Sequence, residues 1–273
     1  PPWWAGLNWE TGRYRAIMDG ALILARYEAA EPPPVAKIAG MLRGLKADVP
    51  PSQEIQRVLL TGILISPRPD CGLELLKAAG FLGEFWPELA GMDDVDHSKE
   101  FHPEGNVWKH TMETFRYRKT TGRPALRSRG KAYDLLLSLG LLLHDLGKPL
   151  AAASGSRRFD GHAELGARAA WKFLERLGYD PGMIQDVCYL VKNHMLPAAL
   201  PRLPLTRTGE ILESPLFPTL LELYRCDESS SFKGLEGYYE SSAAYQAYLR
   251  YRRNPYRQAD GKKINSLRRI QTL

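Results

Sequence analysis

Apolar residues recur along most of the chain at the three- and four-residue intervals that put them on one face of a helix. Val35, Ile38, Leu42 and Leu45 form one such stripe, and Ile55, Val58, Leu59 and Ile63 form a second. No stretch alternates in the way a half-buried strand would. Helix boundaries are also marked: Ser52, Asp70 and Asp180 stand where N-caps belong, Pro181 suits a first helical turn, and Gly80 and Gly178 suit helix ends. The pattern predicts an all-α protein. The longest apolar run, Leu135–Leu143, contains Ser138 and Gly140 and is far short of the roughly 20 residues that span a bilayer. It reads as a buried helix, and no membrane partner is expected. Ile17–Ala25 is interrupted by Asp19 and has no cleavage signature, so no signal peptide is read there.

Composition narrows the class. With 273 residues, 44% of them hydrophobic, the chain can bury a substantial core, which excludes disorder and a disulfide-stapled miniprotein. Cys71, Cys188 and Cys226 are odd in number, and no pair has Cys-x-x-Cys spacing. Neither a disulfide framework nor a thiolate zinc site follows, and a reducing, cytoplasmic setting fits best. The net charge of +6 is unevenly spread. Residues 116–131 hold seven bases and no acid, residues 250–269 hold eight bases and one acid, and the rest of the chain is net acidic. Such segregation favours an anionic ligand or nucleic acid. The acidic stretch Met92–Asp96, with 101–105 after it, is the best internal boundary. The expected division is a helical region over 1–95, a second domain over 96–235 and a basic helical segment over 236–273.

The residues able to do chemistry form an ordered series: His110, the adjacent pair His144 and Asp145, His162, His194 and Asp227. His144 and Asp145 close a helix that is apolar on nearly all sides, where an imidazole and a carboxylate are costly to bury without partners. Asp227 follows Leu220, Leu223 and Tyr224, and His194 follows Val187 and Val191, at helical intervals. Imidazoles and carboxylates aimed repeatedly at a core suggest a metal centre between facing helices. Without thiolates, such a set favours divalent Mn, Fe, Co, Ni or Mg over structural zinc. Lys148 is placed to share the face of His144 and Asp145 and to hold a phosphate oxygen. Arg157 and Arg158 precede the helix that His162 opens, so they are weaker candidates for anion binding. His97 and His102 read as linker residues.

The series, together with the flanking runs His144-Asp145-Leu146-Gly147-Lys148-Pro149, Gly161-His162-Ala163-Glu164-Leu165-Gly166 and Lys192-Asn193-His194, closely resembles the HD superfamily of metal-dependent phosphohydrolases. The lead-in from His102 to Thr111 is similar to that of the HD domain attached to bacterial tRNA nucleotidyltransferases, of the CCA-adding and poly(A) polymerase type. Upstream, 49–52 and 66–76 resemble that family's neck and body. The resemblance implies an HD helical bundle preceded by a smaller neck-and-body region. It also implies two ions bridged by Asp145, one held by His110, His144 and Asp227 and the other by His162 and His194. The family's mixed α/β catalytic head has no counterpart in this sequence. Asp94-Val95-Asp96 has the spacing of paired catalytic aspartates, but no strand or Gly/Ser turn precedes it, so it reads as linker. Nucleotide addition is therefore not expected.

What the resemblance implies is hydrolysis of a phosphomonoester or phosphodiester, including a 2′,3′-cyclic phosphate, on a nucleotide or RNA end. Asp145 and Lys148 would be the catalytic pair, and Lys148, Arg157 and Arg158 the phosphate-binding groups. Two rival readings stand beside it: a diiron HD oxygenase, and a non-catalytic RNA-binding relative. The window 116–131 should border the site. With Arg250, Arg252, Arg253 and Arg257 interleaved among Tyr248, Tyr251 and Tyr256, it could engage RNA by phosphate contact and stacking.

Overall fold

Helices account for nearly all the regular structure of the computed structural model, which describes residues 12–27, 34–96, 105–119, 130–155, 159–203, 205–231 and 234–253. In chain order they are α1 (Arg13–Arg26), α2 (Val35–Arg43), α3 (Gln53–Leu64), α4 (Pro69–Ala78), α5 (Phe81–Phe85), α6 (Pro87–Ala90), α7 (Val107–Thr114), α8 (Gly130–Leu143), α9 (Lys148–Ala153), α10 (His162–Arg176), α11 (Pro181–Asn193), α12 (Leu196–Ala199), α13 (Leu205–Glu213), α14 (Phe217–Ser230) and α15 (Glu236–Arg253). Among the described residues the nearest thing to a strand is an isolated bridge between Asp96 and Asn106. The all-α expectation holds.

α8 is the axis of the site-bearing half. Leu137, Leu139, Leu141, Leu142 and Leu143 are all fully buried. Each contributes roughly 1.5–3 kcal/mol relative to exposure, which explains why this helix has no polar face. It packs against α3, α7, α11 and α14. Gly140 permits two of those contacts, since a Cβ there would lie 2.9 Å from Leu223 and 3.1 Å from Leu190. The apolar stretch 132–153 has the length and composition of a membrane span, but 72% of its window is buried and the chain turns at 144–147. It is core.

Local signals were mostly read correctly. Ser52 caps α3 by accepting from Ile55 N, and Asp180 caps α11 by accepting from Gly182 N and Met183 N. Gly80 and Gly178 take left-handed φ values of 86° and 73° after their helices. Asp70 is a correction. Pro69 occupies the first helical turn, so Arg68 is the N-cap residue, and Asp70 sits inside the turn with two hydrogen bonds from the Arg68 guanidinium. α3 needs a second correction: Ile55 and Val58 are exposed while Gln56 is buried. The helix turns Gln56 inward because the buried indole of Trp86 donates to its Oε1 at 2.9 Å, and its own Nε2 donates to Pro51 O.

One buried cluster runs from Ala16 to Tyr248, so the N-terminal helices and the site-bearing helices share a core. Polar ties cross it. The Trp108 indole donates to Glu74, and Arg176 donates to Phe85 O and Glu88. Arg118 is buried, with its guanidinium donating to Leu64 O, Ser66 O and Ser138 Oγ.

That placement revises the basic window 116–131. Arg118 is consumed inside the protein, and Arg116 pairs with Glu113. Lys119 is exposed, residues 120–129 lie outside the described residues, and nothing is described of the Lys131 side chain. At the other window, Tyr248 is buried with its hydroxyl on Glu213, so it is not a stacking surface. Residues 254–273 lie outside the described residues.

Replacing Arg118 with Met leaves two carbonyls and a hydroxyl buried without their donor. The expected loss is about 3 kcal/mol of unfolding free energy, read as a lower urea midpoint at unchanged slope. A loss below about 1 kcal/mol would show that the guanidinium does not hold the two halves together.

Candidate metal centre

Six chemistry-bearing side chains converge around the Asp145 carboxylate, delivered by five segments of chain. His110 comes from α7, His144 and Asp145 from the turn closing α8, His162 from the first position of α10, His194 from the end of α11, and Asp227 from the last turn of α14. Asp145 divides its two oxygens. Oδ2 lies 3.3 Å from His144 Nε2 and 3.9 Å from His110 Nε2, while Oδ1 lies 3.6 Å from His162 Nε2 and 3.8 Å from His194 Nε2. Asp227 Oδ1 stands 2.9 Å from His110 Nε2 and 3.9 Å from His144 Nε2. His110, His144 and Asp145 form one compact donor set, and Asp145, His162 and His194 form another.

Helix ends set the ring orientations. The last carbonyls of a helix lack intrahelical partners, and His144 and His194 stand just beyond two such ends. Their Nδ1 atoms contact Leu141 O at 2.8 Å and Val191 O at 2.7 Å. His162 Nδ1 contacts Phe159 O at 2.8 Å. A carbonyl can only accept, so Nδ1 carries the proton in all three, and Nε2 presents a lone pair to the centre. Ser230 Oγ, one helical turn beyond Asp227, stands 3.3 Å from His110 Nδ1.

This donor set fits a cation. His144 Nε2 is buried and has no hydrogen-bond partner among the described residues. His162 Nε2 and His194 Nε2 face each other at 3.2 Å, two lone pairs that repel unless something positive lies between them. That spacing is close to that of neighbouring donors each about 2.1 Å from a shared ion. Burial pulls His194 down to about 4 against the pull of Asp145, and burial also lowers His162. Both rings are therefore neutral at pH 7, the form that donates to a metal. Burial alone would raise Asp145, but the adjacent Lys148 ammonium outweighs it and holds the carboxyl well below the usual range. Asp227 is likewise held low, its burial outweighed chiefly by the hydrogen bond to His110.

Exposure around the centre is uneven. His110, His144, His194 and Asp145 side chains are 1–2% exposed, whereas Asp227 is 21%, Lys148 13% and His162 12%. Lys148 thus stands at the mouth, with Nζ 2.6 Å from Asp145 Oδ2. Arg157 and Arg158 lie outside the described residues.

Two parts of the site escaped the sequence reading. Ser230 was visible only as a serine three residues after Asp227. The other is a contact between backbones: a Cβ on Gly147 would collide with His162 O and come within 2.5 Å of Gly166 N, and one on Gly166 would lie 3.1 Å from Gly147 N. The two glycines let α10 approach the Asp145 turn closely enough for His162 to reach the carboxylate.

Residues 94–220 match the HD domain family. The chain is 33% identical over 191 residues to a CC-adding tRNA nucleotidyltransferase of Thermus thermophilus, covering 68% of this chain and 41% of that protein. It is 33% identical over 189 residues to an A-adding tRNA nucleotidyltransferase of Deinococcus radiodurans, covering 66% and 40%. It is also 30% identical over 182 residues to a bifunctional uridylyltransferase/uridylyl-removing enzyme of Mycobacterium tuberculosis, covering 65% and 20%. The chain therefore spans about two fifths of the length of the first two relatives and a fifth of the third.

The glycine contact makes a graded prediction. Gly147→Ala should cost about 1–3 kcal/mol through overpacking, because its clash is with backbone, and Gly166→Ala should cost clearly less. Guanidinium denaturation of the two variants checks the order. Equal, negligible losses would mean that the two segments are not in close contact.

Proposed function

Because the chain carries an HD domain, the fold type of metal-dependent phosphohydrolases, and is homologous over about 65% of its length to the HD and body regions of tRNA nucleotidyltransferases, we propose that it hydrolyses a phosphoester of a nucleotide or RNA end. The bond is a phosphomonoester or phosphodiester, a 2′,3′-cyclic phosphate included. The observation that carries this reading is the division of Asp145, one oxygen toward each histidine pair, with a lysine at the open side.

His110, His144, Asp227 and Asp145 would hold one divalent ion, and His162, His194 and Asp145 a second. Bound there, such ions supply Lewis-acid charge to phosphate oxygens and a water acidic enough to attack at neutral pH. The protein's own groups do the rest. Leu141 O, Phe159 O and Val191 O hold three imidazoles in the donor tautomer, so their orientation is fixed before substrate arrives. The phosphate enters between Asp227, Lys148 and His162, where Lys148 is the cation in reach of a non-bridging oxygen. Arg157 and Arg158, two residues and one residue before the carbonyl that orients His162, are the further phosphate contacts proposed. The uridylyl-removing relative supports removal of a nucleotidyl group as the reaction type, and the tRNA-specific relatives support an RNA end as substrate. A cytoplasmic setting accords with three cysteines that form no disulfide.

The test joins elemental analysis of the purified chain to a hydrolysis screen over cyclic nucleotides, nucleoside phosphates and RNA ends. An ion at 100 times its Kd should stabilise the wild type by about 2.7 kcal/mol per site, and Asp145→Ala should abolish both that gain and hydrolysis. Lys148→Met should keep the metal but lower kcat/KM by about 10²–10³. Undiminished hydrolysis in Asp145→Ala would exclude this site. Oxygen consumption by an iron-loaded preparation that releases no phosphate would replace hydrolysis with oxygenation, and RNA binding without turnover would leave a non-catalytic relative.

A further inference from the structure

His144 and His194 find their carbonyl partners at helix C-termini, where unpaired acceptors are already present. His162 has no such resource. It is the first residue of α10, and a helix N-terminus displays N–H groups rather than carbonyls. Its partner is Phe159 O, which accepts from both His162 N at 3.0 Å and His162 Nδ1 at 2.8 Å. Phe159 reaches that position with φ of 55°, the one positive φ at a non-glycine among the described residues. A left-handed backbone is uncommon for a bulky side chain and strained. Gly161 in the same turn is also left-handed, at 77°, and as a glycine it carries no such strain.

A glycine at 159 would supply the same backbone without strain, so the ring has to account for the phenylalanine. The ring is half-buried, and the Lys148 ammonium lies 5.9 Å from its centroid. That ammonium is the one seated on Asp145 Oδ2. Phe159 therefore touches the centre twice, by its carbonyl through His162 and by its ring through Lys148.

We propose that Phe159 is a positioning residue: its left-handed backbone fixes which nitrogen of His162 faces Asp145, and its ring holds Lys148 at the mouth of the site. The inference rests on the reading of the site as a two-ion centre. A local outlier that serves two functional groups at once is the circumstance in which strain is retained.

Three variants separate the two contacts, with Co²⁺ titration followed by visible absorption and calorimetry, and thermal melting of the ion-free proteins to verify folding. Phe159→Pro fixes φ near −65° and withdraws the carbonyl. It should weaken the ion at His162 and His194 by about 10- to 100-fold while leaving the ion at His110, His144 and Asp227 in place. Phe159→Gly allows the twist, so both ions should bind at wild-type affinity with an unchanged Co²⁺ spectrum. Having no ring, it should bind inorganic phosphate about 2- to 5-fold more weakly in the Co²⁺-loaded protein, the scale of an exposed cation–π contact. Phe159→Tyr should restore both properties.

Wild-type affinity for both ions in a folded Phe159→Pro overturns the backbone role, and wild-type phosphate affinity in Phe159→Gly overturns the ring role. Should the proline variant not fold, the glycine and tyrosine variants still decide: loss of Co²⁺ affinity in a folded Phe159→Gly contradicts the proposal. A wild type that takes up no Co²⁺ at all would instead refute the underlying metal reading, a result distinguishable from either of these.

Discussion

An ionised carboxylate buried at the end of the most apolar helix is the constraint around which this protein is built. Moving a carboxylate from water into a protein interior costs several kcal/mol even after relaxation. Asp145 is held ionised nonetheless, so the surroundings must return that energy. The Lys148 ammonium from α9 returns part of it, and four imidazoles and a second carboxylate, arriving from α7, α8, α10, α11 and α14, form a donor set that a cation would complete. The helices cannot be rearranged without stranding that charge. The fold and the donor set are consequently one problem: the packing that buries α8 also decides which side chains surround its last residues.

Helix ends do much of the positioning. Two histidines just past helix C-termini take carbonyls that would otherwise want partners, so orienting the rings also satisfies the backbone. Where a helix begins instead, the chain uses a left-handed residue to obtain the same carbonyl. The Gly147–Gly166 approach brings those two kinds of helix end together. Exposure is unevenly shared: Asp227, Lys148 and His162 are partly open to solvent, while the other members of the centre are dry.

The sequence singled out the six side chains that the fold brings together, and Lys148 beside them, because order and flanking residues are local features of a chain. It misjudged residues whose roles depend on distant partners. Arg118 lies in a basic window that looks like a nucleic-acid surface, yet it is drawn inward by carbonyls at and just beyond the end of α3 and a hydroxyl of α8. Tyr248 lies among arginines in a pattern suited to base stacking, yet it is buried against Glu213. On α3 the apolar stripe pointed one way, and the need of the Trp86 indole for an acceptor turned Gln56 inward instead. In each case a hydrogen-bond requirement from elsewhere in the molecule outweighed a local pattern.

By itself the sequence determined that the protein is all-α, where several of its helices begin and end, and which imidazoles and carboxylates stand in one ordered series. Those properties follow from helical periodicity, capping chemistry and the cost of placing charge in an apolar stripe, all of which act over a few residues. Only the tertiary structure decided that Asp145 divides its oxygens between two histidine pairs, that Lys148 stays partly exposed beside it, and that two glycines and a strained phenylalanine set the position of His162. These depend on distances between segments far apart in the chain, and such distances are fixed by packing and hydrogen-bond satisfaction over the whole core.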